Sequence, residues 1–292
     1  MENAKYTSSQ LKIMRTAFLT AFPKIFTDIP YTTDIFKATL SLAVKNGFSF
    51  LPEQFTAEMS PEIEARYKAA SSVLRDEISK ASTKPVIIEI ASGMSPRALE
   101  FPNADYYEID FPLIMEQKRS IYQIIKANIP EDSLIGVDLS DIHRFSSTLK
   151  KITNDHPQKP LIFLSEGLFW YLSRDEIKSL SSIIYSTISA IGGCWITTDC
   201  PVSKTGQDSS SGSYRSIITK SSNREDKKPF HNRAEFDGFF RGMNYITEYH
   251  DLLEAISISN LSSKKLFSYS DPEIITRINN YTSISILRID KK

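Results

Sequence analysis

The sequence predicts an α/β protein with a mostly parallel sheet, and three observations lead there. Apolar runs of strand length alternate with helical patterns from Val86 to Thr198, the alternation that gives parallel strands with helices on both faces. Asp110, Asp138 and Glu166 follow three of these runs at intervals of 28 residues. Three carboxylates therefore fall at the carboxyl ends of successive strands, the edge where open α/β sheets bind ligands. The stretch Pro85 to Arg97 reads as a strand carrying the acid Glu89, then a turn of small residues, then a helix. Ala91, Ser92 and Gly93 let backbone amides approach a ligand closely. Ser95 and Pro96 suit the N-cap and first residue of a helix whose N-terminus adds partial positive charge.

The elements follow in order from periodicity. Ser9 to Phe22 carries Leu11, Met14, Phe18 and Leu19 at helical spacing and stops at Pro23. Tyr31 to Lys45 and Pro61 to Lys80 repeat the pattern, so residues 1–82 are expected to form an N-terminal helical cap on a core of residues 83–292. Arg66 and Arg75 lie on the third helix and, taken alone, read as solvated surface charges. The expected strands are Val86–Ile90, Tyr106–Ile109, Ser133–Val137, Leu161–Leu164 and Cys194–Thr198, the last ending at Asp199. Helices are expected over Pro112–Ala127 and Asp141–Asn154 and from Ser173, where Ser173 and Glu176 have capping-box spacing. The chain then returns through a helix at Arg233–Arg241, a strand at Tyr245–Tyr249, a helix at Asp271–Asn280 and a strand at Ser283–Ile289.

Charge narrows the partners. Lys plus Arg and Asp plus Glu number 35 each, which leaves no net field to steer nucleic acid or an anionic membrane and points to a small-molecule or peptide-like partner. No apolar run reaches the roughly 20 residues that span a bilayer, and Met1 to Lys5 lacks a signal-peptide core, so a cytoplasmic location is expected. Cys194 and Cys200 have no companion histidine cluster and read as buried thiols, and no metal-ligand spacing is present.

Asp110 lies 19 residues after Ala91, the spacing at which a carboxylate accepts both hydroxyl hydrogens of a ribose. A nicotinamide dinucleotide would also need its pyrophosphate cradled, yet Gly-x-Gly-x-x-Gly is replaced by Ala91, Gly93 and Pro96. Acids at Asp138 and Glu166 suit a ligand with a cationic centre, an amine or exocyclic N–H groups. S-adenosylmethionine has all three.

Four segments in order carry a family resemblance: Ile88-Glu89-Ile90-Ala91-Ser92-Gly93-Met94-Ser95-Pro96-Arg97; Tyr107-Glu108-Ile109-Asp110-Phe111-Pro112 with Lys118; Val137-Asp138-Leu139-Ser140; and Ser165-Glu166-Gly167-Leu168-Phe169-Trp170-Tyr171-Leu172. From about Pro61 to Leu180 the chain resembles the leucine carboxyl methyltransferase family, which includes O-methyltransferases of polyketide biosynthesis. The resemblance implies a Rossmann-like class I methyltransferase sheet of seven mostly parallel strands with the last antiparallel, and S-adenosylmethionine as cofactor. It implies that Arg66 holds the methionine carboxylate and that Glu89, Ala91 and Gly93 belong to the first cofactor motif. By the same resemblance Asp110 takes the ribose, Asp138 and Leu139 bind adenine, and Glu166 faces the methionine amine or the ribose. The chain departs from the family pattern where glycine is usual at Ala91 and Asp-Thr at Ser95-Pro96.

Methyl transfer to a carboxylate needs no general base, whereas a phenol or alcohol benefits from one. Tyr171 is a candidate to line the acceptor pocket, with packing as its other reading. His231 and His250 are weak candidates for a base, and no catalytic residue is named. Pro201 to Lys228, rich in Ser, Lys and Asp, is expected to be a long loop around a short Tyr214–Thr219 helix, either a lid over the acceptor or a surface insertion. The leading expectation is an O-methyltransferase acting on a carboxylate or hydroxyl of a small molecule or peptide end. A nicotinamide-dependent oxidoreductase and a catalytically inactive cofactor-binding protein are the alternatives.

Overall fold

The computed structural model describes residues 16–17, 19–45, 57–202, 229–267 and 269–290. Its strands are β1 (Val86–Ile90), β2 (Asp105–Asp110), β3 (Leu134–Gly136), β4 (Leu161–Ser165), β5 (Gly193–Cys200), β6 (Tyr245–Asp251) and β7 (Ser283–Ile289). They form one sheet in the order β3-β2-β1-β4-β5-β7-β6. Pairing is parallel from β3 through β5, and β7 runs antiparallel to both β5 and β6. The expected sheet, with its last strand reversed, is the one observed.

β1 and β4 sit at the centre because their side chains are buried on both faces, the pattern of a strand covered by helices twice over. On one face Val86, Ile88, Phe163 and Trp195 pack against helices Ile142–Asp155, Arg174–Ile191 and Arg233–Arg241. On the other, Ile87, Leu164 and Ile196 meet helices Ser60–Lys80 and Asp271–Asn279. Helix Ser60–Lys80 is thus a covering layer of the sheet itself, through Ala65, Ala69, Val73 and Leu74. The helices near Ala21 and Thr32–Lys45 pack on helix Pro112–Ile124. The helix expected over Ser9–Phe22 is described from residue 16, and the Pro201–Lys228 loop lies almost wholly outside the described residues. Cys194 and Cys200 are free and buried, and no helix among the described residues is long and apolar enough to cross a membrane.

Local chemistry explains the boundaries. Ser173 and Glu176 form the expected capping box, and Asp141 caps the next-earlier helix by accepting from the Arg144 amide at 3.0 Å. One expectation fails at the turn after β1. The helix there spans only Arg97–Glu100, its N-cap is Pro96, and no side chain caps it. Ser95 Oγ accepts from the Arg97 amide at 3.3 Å instead. A single turn aligns too few peptide dipoles to offer an anion useful charge, so positive charge at this edge comes from side chains.

The turn itself is strained by its sequence. Ala91 has φ 54° and Gly93 φ 49°; glycine accepts the left-handed region freely, whereas alanine's Cβ crowds the backbone there. Ala91→Gly is therefore expected to stabilise the protein by about 0.5–1 kcal/mol, the left-handed penalty less glycine's added chain entropy. The check is a higher urea midpoint at unchanged slope; an equal or lower midpoint contradicts the strain.

Candidate active site

The strand order lays the predicted carboxylates along one edge. Asp138 stands two residues beyond β3, Asp110 ends β2, the Ala91–Gly93 turn follows β1, and Glu166 follows β4. Asp110 is pinned by two backbone amides: Gly93 donates to Oδ2 at 2.7 Å and Phe111 to Oδ1 at 2.7 Å. Each oxygen keeps a lone pair for a ligand hydroxyl. Burial pushes the Asp110 carboxyl above its ordinary value, against the pull of those amides. Asp138 Oδ1 accepts from the Ser140 amide at 2.9 Å and hydroxyl at 2.7 Å, and beside it Leu139, Ser140, Ile142, Leu172, Asp175 and Glu176 line a pocket.

The Glu166 end differs from expectation. Glu166 does not present a bare carboxylate: Oε1 accepts from Arg66 Nε at 3.1 Å, and Oε2 from Arg97 Nη2 at 2.6 Å. Arg97 is fully buried and also holds Glu89 Oε1 at 2.5 Å and Ser71 Oγ at 3.1 Å, with its guanidinium 4.2 Å from the Tyr67 ring centre. Glu89's second oxygen takes the Tyr106 hydroxyl at 2.7 Å, so both its oxygens are engaged inside the protein. Arg66 continues outward to the Tyr281 hydroxyl at 2.9 Å. Lys24, brought in by the N-terminal residues, is nearly buried and stands over the Tyr67 ring at 5.2 Å. It makes no salt bridge among the described residues. Burial, helped by Arg97 and Arg66 and opposed by Glu166, lowers its ammonium to about 8. Arg66, Arg97 and Lys24 thus stand among Glu89, Glu166 and Asp199, a mixed ion cluster where bare acids were expected.

Behind the turn, Lys118 pairs with Glu108 and donates to Ser92 Oγ at 3.3 Å, while Tyr122 donates to Glu108 Oε2 at 3.1 Å. These buried groups hold the turn in place from below. Above it, Ala17 lies 4.0 Å from where a Cβ on Gly93 would stand, and Thr16 Oγ1 accepts from the Tyr171 hydroxyl at 3.1 Å. Burial pushes Tyr171 up to about 12. The N-terminal residues are therefore a wall of the site. His231 precedes helix Arg233–Arg241, and His250 lies one residue before the end of β6, 3.3 Å from Glu248.

Sequence reasoning missed Lys24, Arg97, Lys118 and Asp199 as parts of this edge. Arg97 and Lys118 stood inside the quoted motifs, and a cation between two apolar runs is a signal of buried pairing. Asp199 follows the fifth apolar run as the other acids follow theirs, a signal outside the 28-residue phase. Lys24 carried none, because its position depends on how distant segments meet.

The sheet order, with β7 antiparallel between β5 and β6, and an edge carrying a ribose-type acid and a small-residue turn define a class I methyltransferase fold. The leucine carboxyl methyltransferase family model matches residues 31–185, more than half of the chain. The chain belongs to that family, and it is an S-adenosylmethionine-dependent methyltransferase. The match begins 30 residues before Pro61 and so takes in helix Thr32–Lys45. No curated protein matches the sequence. Among solved structures, a DUF574 family protein from Streptomyces avermitilis is similar at 9% identity and TM-score 0.52, with 92% of this chain and 96% of that one covered. A variant of LepI, solved with SAH and a substrate analogue, is similar at 9% identity and TM-score 0.45 over 74% of this chain. This chain spans 46% of that protein's length. Human N-acetylserotonin methyltransferase, solved with SAM, is similar at 8% identity and TM-score 0.45, over 90% of this chain and 58% of that one. Family membership sets aside the nicotinamide alternative.

The ion cluster makes a pH prediction. Burial opposes the charge on Glu166, but Arg66, Arg97 and Lys24 hold its carboxyl at about 2, from an ordinary 4.5. A depressed folded value means stability that is full above the ordinary value and lost as pH falls from there toward 2. The contribution is about 3 kcal/mol. The stability advantage of wild type over Glu166→Gln is expected to shrink by about that amount as urea unfolding is followed from about pH 6 into the acid limb. A difference independent of pH refutes it.

Proposed function

We propose that the protein transfers a methyl group from S-adenosylmethionine to an oxygen, hydroxyl or carboxylate, of a small molecule or peptide end. The observation that carries the cofactor placement is the nearly buried Lys24 ammonium, which has no salt bridge among the described residues and lies close to Arg66 and Arg97. An anionic ligand group fits there, and the methionine carboxylate is one. Lys24 and Arg66 hold that carboxylate, while Ala91 to Gly93 pass beneath the methionine portion. Asp110, already oriented by two amides, accepts the ribose hydroxyls, and Asp138 with Leu139 receives adenine. Glu166 fixes both arginines and turns its remaining lone pairs toward the ligand ammonium. Glu89 acts from inside, as a positioning residue for Arg97.

When bound, S-adenosylmethionine supplies an electrophilic methyl group on sulfur. The chain's own task is then to align an acceptor oxygen and exclude water. The N-terminal wall at Thr16, Ala17 and Lys24 serves the exclusion. The balanced net charge supports a small or peptide-like acceptor over nucleic acid, and a cytoplasmic site of action accords with the reading.

Calorimetric titration with S-adenosylhomocysteine tests this. Wild type is expected to bind, and Lys24→Met and Asp110→Ala each to weaken binding by about 10- to 100-fold, the loss of a charge-assisted hydrogen bond. Absence of binding by wild type, or unchanged affinity in both variants, overturns the placement.

A further inference from the structure

We propose that Asp199 is the proton acceptor of the reaction and that the methyl acceptor is a neutral hydroxyl, a phenol or alcohol, rather than a carboxylate. The proposal deepens the methyltransferase reading and rests on it.

Asp199 stands near the carboxyl end of β5, next to β4 and on the opposite side of β1 from Asp110 and Asp138. If the β1–β3 end takes the ribose and adenine, the β5 end is left for the acceptor. The β5–β7 register shifts between Thr197 and Cys200, and an irregularity of this kind re-aims a side chain at a sheet edge. Oδ2 of the carboxylate accepts from the Leu168 amide at 3.0 Å and from Thr197 Oγ1 at 3.2 Å. Oδ1 is buried and has no hydrogen-bond partner among the described residues. A buried acceptor left unpaired costs about 1–3 kcal/mol, a cost that a ligand donor would remove.

The charged and titratable groups that face it are Arg66 from helix Ser60–Lys80, Tyr171 after β4 and Tyr281 before β7. Burial raises the Asp199 carboxyl to about 6, against the pull of Arg66, of the Leu168 and Phe169 backbone amides and of the Thr197 hydroxyl. It is therefore mostly ionised at neutral pH yet more basic than an ordinary carboxylate, which suits general-base work. A carboxylate acceptor would meet like charge here, whereas a hydroxyl would donate to Oδ1.

In the transfer step the acceptor O–H bond breaks and its proton passes to Asp199 Oδ1. The oxygen's electron pair forms the new bond to the methyl carbon while the carbon–sulfur bond breaks and leaves its pair on sulfur. Asp199 afterwards returns the proton to water, so one proton is released per turnover.

The test compares full-chain wild type with Asp199→Asn by three readouts. S-adenosylhomocysteine affinity is expected to change by no more than about fivefold, far less than the transfer rate, since Asp199 reaches the cofactor end only through Arg66. Infrared titration of the ligand-free protein is expected to show a carboxyl titrating near 6 that the substitution removes. With a panel of phenols and the matching benzoic acids, wild type is expected to methylate phenols. Asp199→Asn should lose about 100-fold or more of that transfer at neutral pH. The deficit should narrow as pH approaches about 10, where phenols ionise unaided, a recovery that a purely structural role would not give. Methylation of benzoates alone, phenol transfer retained by the variant, or an Asp199 that titrates at the ordinary value of about 4 overturns the proposal. Failure of wild type to bind S-adenosylhomocysteine would instead overturn the cofactor placement, and the titration would still decide the state of Asp199.

Discussion

Arg97 has its guanidinium wholly out of water, between a carboxylate on β1 and another just beyond β4. Moving such an ion from water into protein costs several kcal/mol, and only good geometry with additional hydrogen bonds offsets it. Glu89, Glu166 and Ser71 supply those bonds, and the Tyr67 face covers the ion. Three elements are tied by one side chain: two central strands and the helix that covers them. If Arg97 were absent, Glu89 and Glu166 would be two buried carboxylates with one fewer cation between them, and the counter-ion of Arg66 would lose its anchor. The positions of Arg66 and Glu166 at the sheet edge therefore depend on an interaction made behind them, inside the protein.

The edge has two electrostatic halves as a result. Toward β2 and β3 the acids are held by neutral amides and hydroxyls, which orient them without cancelling their charge. Toward β4 the acid is charge-paired with Arg66 and Arg97, and the Lys24 ammonium stands near the pair. A zwitterionic ligand with hydroxyls and an amine heterocycle at one end and a carboxylate at the other matches this gradient in one orientation only. The Lys118 and Glu108 pair under the turn does for Ser92 what Arg97 does for Glu166, placing a site group from behind.

Most of the sheet was legible because its strands are short apolar runs closed by turn residues, and periodicity reports those directly. The run Val86–Ile90 and the strand Ser283–Ile289 needed no tertiary information. The line of Asp110, Asp138 and Glu166 was legible for the same reason, since strand order converts regular spacing into a shared edge. What was hidden is pairing. Pro96-Arg97 reads as an ordinary helix start, and nothing in the spacing says that the guanidinium turns inward or that the helix ends after one turn. Glu166 read as a bare acid because its partners come from residues 100 positions earlier and 69 positions earlier. Lys24 comes to the site over the Tyr67 ring of a distant helix, and Asp199 sits at a register shift in β5; neither leaves a trace in local periodicity.

The most direct measurement is a crystal structure of the protein with S-adenosylhomocysteine. The account predicts the ligand carboxylate within hydrogen-bond distance of Lys24 Nζ and the Arg66 guanidinium, the ribose hydroxyls on Asp110, and Arg97 unmoved between Glu89 and Glu166. A ligand carboxylate placed away from Lys24, or an Arg97 that leaves its two carboxylates to contact the ligand, would contradict it.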